Sequence, residues 1–438
     1  MRFPRLACNA RRSYNFNFVP TPTKILRDFF GSYAKARTMK IQPANRIDRL
    51  PPYILGRLKN MIYERRKAGA DVIDMNMGNP TDAPPDAVVE KLREAVLDPR
   101  NSRYSVSAGV YNLRRDMARK YKRRWDVDLD PASEVIATIG SKEGFSHLCL
   151  ALLGPGDIAV VADPAFQIHT YAVILAGGSI VTVPLGNDDA FLARIDNVLE
   201  NLTPKPKVVI LNYPHNPTSM TVEMDFYDKV VRLADKHQVM IINDFAYGET
   251  CFGGYKAPSF LQADGAKEFG VEFTTLSKPY NMAGWRIGFC CGHPEMVKAL
   301  STVKGYYDYG IFQAVQIAAI IAMREGDKHI DEQAKHYEKR AELLVSSLRK
   351  LGWEVEMPRA TMFVWAKVSP EHLAPFHGST EEFCLAMVDQ AEVAMTPGAA
   401  FGPRGEGYVR LALVENEQRM RQALRQLGRV LAPTATPA

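Results

Sequence analysis

The sequence predicts an α/β protein with a large domain, built on a mostly parallel seven-stranded sheet between helices, and a smaller α+β domain. The first observation is that short β-branched, apolar runs alternate with longer amphipathic segments between residues 134 and 304. Continuous apolar strands separated by helices are typical of parallel sheets that are buried on both faces. The second observation is that this pattern ends near Gly305, where a long helical stretch leads into short strands.

Seven strands are predicted for the large domain, at 134–140, 157–163, 179–185, 207–213, 239–244, 272–277 and 286–292. The intervening helix-like segments are 142–153, 167–176, 223–237 and 294–304. For the smaller domain we expect one long helix over 310–351 and short strands within WEVEMP, MFVWAKV, VAMTP and YVRLALV. Each run is bounded by turn residues, which supports its assignment as a separate element.

The smaller domain is expected to combine both ends of the chain. We predict its first part at 41–75 and its second part at 320–438, with the large domain at 76–319. Proline pairs such as Pro51-Pro52 and Pro84-Pro85 mark the crossing between the two domains. Residues 1–40 form a separate basic extension that we expect to be disordered.

The composition is that of an ordinary globular protein, with 46% hydrophobic and 24% charged residues among 438. No apolar run reaches the roughly 18 residues of a membrane helix, so no membrane span is expected. The six cysteines show no C-x-x-C pair and no metal-ligand spacing with histidine. We therefore expect reduced thiols, no metal site and a cytoplasmic protein.

The net charge of +6 lies mainly in the first forty residues, which hold nine basic side chains and one acid. The remainder of the chain is slightly acidic, so no nucleic-acid partner is expected. The basic segment has the composition of an organellar transit peptide. A disordered tail, or a chain whose true start is Met39, is the interpretation we prefer.

Residues that directly follow predicted strands are candidates for a binding site, because ligands of open α/β sheets bind at the carboxyl ends of the strands. The sequence GSKEG at 140–144 opens a helix after the first strand. Its amides, the Ser141 hydroxyl and the Lys142 ammonium would suit a phosphate. The alternative is that Ser141 is a simple helix cap.

Three further strand ends carry polar residues. Asn216 lies in an Asn-Pro turn, and Asp244 ends a strongly apolar strand three residues before Tyr247. A buried carboxylate at Asp244 requires a cationic partner, although a helix cap is the simpler alternative. Lys278 follows the sixth strand, and Arg286 opens the seventh. A partly buried lysine near other cations has a lowered pKa and suits Schiff-base chemistry.

The chain resembles the class I/II, fold-type I aminotransferases, which depend on pyridoxal 5'-phosphate. The resemblance covers about residues 42–430 and rests on MGNPTD, YSVSAG, GSKEG, DPAFQIHTY, SKPYNMAGWRIGF and PGAAFGPRGEGYVRLALVEN. Within that family the phrases are similar to alanine-type glutamate–pyruvate aminotransferases and to their LL-diaminopimelate-aminotransferase-like relatives. The resemblance implies a fold-type I enzyme and a homodimer with shared active sites.

The resemblance also implies a role for each candidate residue. Lys278 would condense with the cofactor aldehyde and act as the catalytic base, and Asp244 would pair with the pyridine nitrogen. The other cofactor contacts would be Tyr247 and Asn216 to the phenolate oxygen, Phe166 to the ring face, Ser141, Lys142, Thr275 and Arg286 to the phosphate, and Tyr104 to the phosphate of the neighbouring subunit. Arg410 would bind the substrate α-carboxylate, with Gly78 and Asn216 beside the substrate.

The resemblance therefore implies ping-pong transamination between an L-amino acid and a 2-oxo acid. It favours L-alanine and 2-oxoglutarate, giving pyruvate and L-glutamate. Specificity for LL-diaminopimelate, aspartate or hydrophobic amino acids is also possible, and Arg404 is available to bind a side-chain carboxylate. A β-lyase activity on sulfur amino acids is a more distant alternative. A cofactor-binding transcription regulator would need a DNA-binding domain of roughly 50 residues or more, which the first forty residues do not resemble.

Overall fold

A seven-stranded sheet forms the centre of the protein, as the alternation of apolar runs and helices predicts. The computed structural model describes residues 41–51 and 53–432, so the extension predicted at 1–40 lies outside the described residues. A short strand, β1 (Ile73–Asp74), precedes the sheet. The sheet strands are β2 (Val135–Thr138), β3 (Ile158–Asp163), β4 (Ser179–Pro184), β5 (Val208–Asn212), β6 (Met240–Asp244), β7 (Gly270–Thr275) and β8 (Gly288–Gly292).

The sheet is mostly parallel, which confirms the predicted fold class. Its strand order is β2-β8-β7-β6-β5-β3-β4. All neighbours from β7 to β4 run parallel, whereas β8 runs antiparallel to both β2 and β7. The carboxyl ends of β3, β5, β6 and β7 consequently lie at one edge of the sheet.

Helices surround the sheet and continue beyond it. In chain order they are α1 (Asn45–Asp48), α2 (Ile54–Lys67), α3 (Asp86–Val96), α4 (Tyr111–Trp125), α5 (Ser141–Leu152), α6 (Gln167–Leu175), α7 (Asp189–Asn201), α8 (Met224–His237), α9 (Ala266–Phe269), α10 (Pro294–Tyr307), α11 (Gln313–Glu325), α12 (Asp327–Lys350), α13 (Pro370–Leu373), α14 (Thr380–Gln390) and α15 (Glu417–Leu431). The single helix predicted over 310–351 is wrong, because the chain breaks at Gly326 into α11 and α12.

Both faces of the sheet are buried, and strand alternation assigns side chains to them. On one face, Val160 and Val209 pack against residues of α4, α7, α8 and α11. On the other face, Val161 and Ile210 pack against residues of α5, α6 and α10. This arrangement explains why the sheet strands are continuously apolar instead of alternating.

A second hydrophobic core lies around a four-stranded antiparallel sheet of order β12-β13-β10-β9. The strands of this part of the chain are β9 (Glu354–Val355), β10 (Phe363–Lys367), β11 (Val393–Ala394), β12 (Thr396–Pro397) and β13 (Tyr408–Ala412). Strand β1 pairs in parallel with β11, so a segment that precedes the central sheet in sequence contacts one that follows it. Residues from Arg46 onward form one compact unit, and the domain boundaries proposed from the sequence stay predictions.

The described part of the chain contains neither a membrane-spanning helix nor a disulfide. None of its helices combines the length and apolar character needed to cross a bilayer. Its five cysteines have free thiols, and only Cys251 is not fully buried. These thiols are therefore small core side chains in the structure.

Candidate active site

A cavity of about 420 Å³ lies at the carboxyl edge of the central sheet. Eleven of the twelve residues predicted for the site line it; they are Gly78, Ser141, Lys142, Phe166, Asn216, Asp244, Tyr247, Thr275, Lys278, Arg286 and Arg410. Most follow the ends of β2, β3, β5, β6 and β7, whereas Arg410 comes from β13 of the second core. Folding thus brings together residues that are up to 332 positions apart in the sequence, from Gly78 to Arg410.

Lys278 lies three residues beyond Thr275, the last residue of β7, and lines the cavity. Its Nζ donates a hydrogen bond to the backbone oxygen of Gly78. Loss of contact with bulk water, together with the nearby charges of Arg410 and Arg286, lowers the pKa of Lys278 to about 8. A substantial share of this amine is therefore uncharged, and nucleophilic, near neutral pH.

Asp244 ends β6 as a buried carboxylate with 7% of its surface exposed. Its Oδ2 is 2.9 Å from Nε2 of His169, a buried residue of α6, and its Oδ1 accepts the backbone N–H of Ala246. The Asn212 amide donates to the backbone oxygen of Asp244. These contacts hold the carboxylate in one orientation at the cavity wall, where it could pair with a protonated ring nitrogen.

Arg410 is a buried guanidinium, 6% exposed, that crosses from β13 to the cavity. Its Nη1 donates to Oδ1 of Asn216 at 2.7 Å, and its Nη2 donates to the backbone oxygen of Asn76 at 2.8 Å. Among the described residues, Nε has no hydrogen-bond partner. The guanidinium carbon is 4.0 Å from the ring centre of Phe363 and 4.7 Å from that of Phe401.

The partners of Arg410 are all neutral, which is costly for a buried cation. Burial lowers the pKa of Arg410 to about 10, although a guanidinium with that pKa is still charged at neutral pH. A ligand carboxylate that reaches this guanidinium from the cavity would supply the missing countercharge. The site is therefore suited to a carboxylate-bearing substrate.

The first turn of α5 and the loop before β8 form a cationic pocket at the opposite end of the cavity. Arg286 donates from Nη1 to the backbone oxygen of Ala283 and faces Gly140. A side chain at Gly140 would collide with the Arg286 guanidinium, and one at Gly288 would collide with the Ser141 nitrogen. Two glycines therefore allow Arg286 to approach a helix N-terminus closely, which is the arrangement that an anion favours.

Lys142 and two hydroxyl residues complete this pocket. Burial and the charge of Arg286 lower the pKa of Lys142. The Thr275 hydroxyl donates to the backbone oxygen of Ile287, and the backbone N–H of Ser277 donates to it. Ser277 also lines the cavity, so it offers a second hydroxyl that the sequence analysis did not assign to the phosphate.

Aromatic side chains bound the remaining walls. Burial raises the pKa of Tyr247, whose ring packs edge-on against Phe363 with 5.5 Å between ring centres. The half-buried Phe166 lies at the start of α6, with the Lys142 ammonium 5.9 Å from its ring centre. Flat rings at these positions would accommodate a planar ligand.

Two residues discussed from the sequence lie outside the cavity. Tyr104 is 84% exposed and packs against Tyr309 with the rings tilted by 38° and 4.5 Å between ring centres. Arg404 is exposed and does not line the cavity, so it is not placed to bind a substrate side chain within this subunit. His215 bonds Thr218 within its own turn, as expected of a turn residue.

Sequence reasoning missed three residues that shape the site: Asn76, His169 and Phe363. His169 lies in the phrase DPAFQIHTY, and a histidine at the start of a helix after a strand end was an available signal. Asn76 contributes only a backbone oxygen, and Phe363 contributes a ring face. Neither contact has a sequence signature, since any residue supplies the first and any aromatic residue supplies the second.

Comparisons with known proteins agree with this geometry. Residues 70–427 match the family described as aminotransferase class I and II. The glutamate-pyruvate aminotransferase AlaC of Escherichia coli is 45% identical over 380 residues, covering 87% of this chain and 92% of that protein. The LL-diaminopimelate aminotransferase of Halothermothrix orenii is 40% identical over 387 residues, covering 88% and 98% respectively.

A solved structure shows the same fold. The substrate-bound structure of BacF from Bacillus subtilis superposes with a TM-score of 0.82 at 30% identity, covering 91% of this chain and all of that one. The family match spans far more than half of the chain, and it includes every residue that lines the cavity from Asn76 to Arg410. The chain therefore belongs to the class I and II aminotransferases and is a pyridoxal-phosphate-dependent transaminase.

Proposed function

We propose that this transaminase transfers the amino group of L-alanine to 2-oxoglutarate, producing pyruvate and L-glutamate. The observation that carries the substrate assignment is Arg410, a buried guanidinium whose hydrogen-bond partners among the described residues are all neutral. Every amino acid or 2-oxo acid substrate offers it an α-carboxylate. The 45% identity to a glutamate-pyruvate aminotransferase supports alanine as the donor.

The residues around the cavity fit pyridoxal 5'-phosphate. We propose that Lys278 would bond to the aldehyde carbon of the cofactor and that Asp244 would pair with its ring nitrogen. Asn216 and Tyr247 would hydrogen-bond its phenolate oxygen. Phe166 would cover the ring face. Ser141, Lys142, Thr275 and Arg286 would hold the phosphate. The fit is supported by the Gly140–Gly288 cradle, which a side chain would fill, and by the buried carboxylate of Asp244 opposite it.

When bound, pyridoxal 5'-phosphate supplies an aldehyde for the amino group and a protonated ring that accepts the electron pair left on the substrate Cα. His169 and Asn212 fix Asp244 so that its carboxylate keeps the ring nitrogen protonated. Arg410 and Asn216 hold the substrate carboxylate in one orientation, which sets the direction of the Cα–H bond.

Lys278 then acts as general base and acid. Once the substrate amine has displaced it from the cofactor aldehyde, its Nζ, with a pKa near 8, would remove the proton from the substrate Cα and deliver it to the carbon of the cofactor's aldehyde group. Arg410 and Arg286 keep that pKa low, because each destabilises a second positive charge nearby. The reverse sequence with a 2-oxo acid completes the ping-pong cycle.

A small apolar side chain is the best fit for the donor pocket. Leu55 and Met77 line the cavity, and among the residues that the structure describes Asp244 is the only acidic one that lines it. Tyr53 and Asn79 also line it and would hydrogen-bond the distal carboxylate of 2-oxoglutarate. LL-diaminopimelate is the second candidate donor, because a relative with that name is 40% identical over 88% of the chain.

We also propose that the protein is a cytoplasmic homodimer in which Tyr104 contacts the phosphate bound by the partner subunit. Tyr104 and Tyr309 form an exposed aromatic pair outside the cavity, which is the kind of surface that a subunit interface covers. The free thiols of the described cysteines are compatible with a reducing compartment.

The proposal is tested with purified protein loaded with pyridoxal 5'-phosphate. Adding L-alanine alone should convert the visible absorption to that of the amine form, and 2-oxoglutarate should restore it. L-Glutamate is the product common to all donors when 2-oxoglutarate is the acceptor, and its formation, measured in a stopped assay, should give a higher kcat/KM for L-alanine than for LL-diaminopimelate, L-aspartate or L-leucine. Lys278→Ala should abolish turnover. A higher kcat/KM for another donor would reject alanine specificity, and no turnover with any donor would reject the proposed site roles.

A further inference from the structure

A second cavity of about 350 Å³ lies beside the active-site cavity. It is enclosed by α6, the edge strand β4 and the loop at 399–403. Its walls are mainly apolar and include Ile54, Ile174, Ile180 and Phe401. Its volume is within the range of small-molecule sites, and its position at the edge of the sheet is typical for them.

Asp163, the last residue of β3, lines this apolar cavity. It is 8% exposed, and its Oδ1 has no hydrogen-bond partner among the residues that the structure describes. Burial of a carboxyl group costs free energy unless a hydrogen-bond donor or a cation contacts it. Burial accordingly raises the pKa of Asp163, an effect that the backbone N–H and the guanidinium of Arg404 only partly offset.

Two other polar side chains of the cavity are already engaged, whereas Tyr171 and Thr182 contribute neutral hydroxyls. The Gln167 side chain donates to the backbone oxygen of Ala400, and the Thr170 hydroxyl donates to the backbone oxygen of Gln167. Arg404 is exposed and forms no ion pair with Asp163 within the described part of the chain. The cavity therefore presents one acidic group within apolar walls.

We propose that this cavity binds a small apolar ammonium ion, with the cation at Asp163 and the hydrocarbon part against Ile174, Ile180 and Phe401. An anion would be repelled by Asp163, and a neutral hydrocarbon would leave the carboxylate unpaired. An apolar body with one cationic end satisfies both the acidic group and the walls.

The site is coupled to substrate binding through shared walls. Phe401 lines the second cavity, and its ring centre is 4.7 Å from the guanidinium carbon of Arg410. Gln167 lines both cavities. An occupant that shifts Phe401 would therefore also shift Arg410, which we propose binds the substrate carboxylate. The occupant would thus be an effector that alters the KM of the amino acid.

The test uses the cofactor-loaded enzyme and N,N-dimethylbenzylamine, a tertiary amine that is protonated at neutral pH and does not condense with an aldehyde. Its uncharged analogue of the same shape, isobutylbenzene, is the ligand control. Binding of both is measured by ligand-observed NMR titration of the wild type, Asp163→Asn, Arg404→Gln and Thr182→Trp. Thr182 is exposed on β4 and lines the cavity, so tryptophan there fills the space without removing a buried polar group.

We expect the cation to bind the wild type at least tenfold more tightly than isobutylbenzene, and to lose at least tenfold in Asp163→Asn. Thr182→Trp should abolish binding, and Arg404→Gln should leave it equal or tighter. The KM for the amino acid should change on addition of the cation in the wild type but not in Thr182→Trp.

Equal affinities for the cation and isobutylbenzene, or unchanged binding in Asp163→Asn, would overturn the proposal. Loss of binding in Arg404→Gln would do the same, as would binding of the cation to Thr182→Trp with the affinity of the wild type. If Asp163→Asn does not fold, the affinities of the wild type for the two ligands and the binding of the cation to Thr182→Trp test the proposal. The binding measurement does not depend on which amino acid is the donor.

Discussion

Replacement of Arg410 by lysine tests the central assignment of the site. The substitution keeps the positive charge but replaces a planar fork with a single point donor. In the structure, Nη1 donates to Asn216 and Nη2 donates to the backbone oxygen of Asn76, and the guanidinium lines the active-site cavity. A lysine ammonium cannot keep both contacts and also bind a substrate carboxylate in two-point geometry.

The expected loss corresponds to about one charge-assisted hydrogen bond, roughly 1.5–3 kcal/mol. That free energy is about a 10- to 150-fold decrease in kcat/KM. The guanidinium also lies between the rings of Phe363 and Phe401, at 4.0 and 4.7 Å from their centres, and a lysine fills that space poorly. The decrease should therefore lie toward the upper end of the range.

The assay is the initial rate of pyruvate formation from L-alanine and 2-oxoglutarate, with the visible spectrum recorded on the same samples. Arg419→Lys is the matched control, because Arg419 pairs with Asp71 on the surface away from the cavity. We expect Arg410→Lys to retain the cofactor spectrum while losing activity, and Arg419→Lys to retain both. An Arg410→Lys kcat/KM within threefold of the wild type would refute the reasoning.

Three other measurements follow from the geometry. Because the pKa of Lys278 is lowered from 10.5 to about 8, its amine is mostly uncharged above pH 8. The rate at which the apoprotein incorporates pyridoxal 5'-phosphate should therefore increase with pH and level off above pH 8. A rate that continues to increase up to pH 10 would contradict this pKa. Gly140 and Gly156 both have positive φ, so alanine should cost each about 1–2 kcal/mol of unfolding free energy. Only Gly140→Ala should also weaken cofactor binding, because its Cβ would lie 2.7 Å from Cζ of Arg286, whereas a Cβ at Gly156 would have no atom within 4 Å. Equal cofactor dissociation constants for Gly140→Ala and Gly156→Ala would contradict this reasoning. Tyr104→Phe should raise that dissociation constant without shifting the thermal unfolding midpoint, because Tyr104 is 84% exposed; an unchanged constant would argue against its role across a dimer interface.

The strands of the central sheet were predictable because each is continuously apolar over its whole length. The prediction for 157–163 and the observed β3 differ by one residue, and that for 239–244 differs from β6 by one. Periodicity was less informative at 310–351, where two helices with similar apolar spacing follow each other. Gly326, which separates them, carries no periodic signal of its own.

Most of the site was also predictable, since its residues follow strands whose ends must meet at one edge of a parallel sheet. Tyr104 is the exception, because its predicted contact belongs to another subunit. The contacts of Arg410 with Asn76, Phe363 and Phe401 could not be predicted in this way. They join the second core to the central sheet, and no local pattern specifies how two separately assembled cores meet.

The sequence by itself determined the fold class, the transaminase family and the chemical groups at each strand end. Apolar periodicity and residue spacing are local properties that suffice for the fold class and the strand ends, whereas the family follows from the resemblance of short sequence phrases. Only the tertiary structure decided which partners those groups have: His169 beside Asp244, neutral partners around Arg410, and an unpaired Asp163 in a second cavity. Burial and charge pairing depend on segments distant in the chain, so they are decided only when the chain has folded.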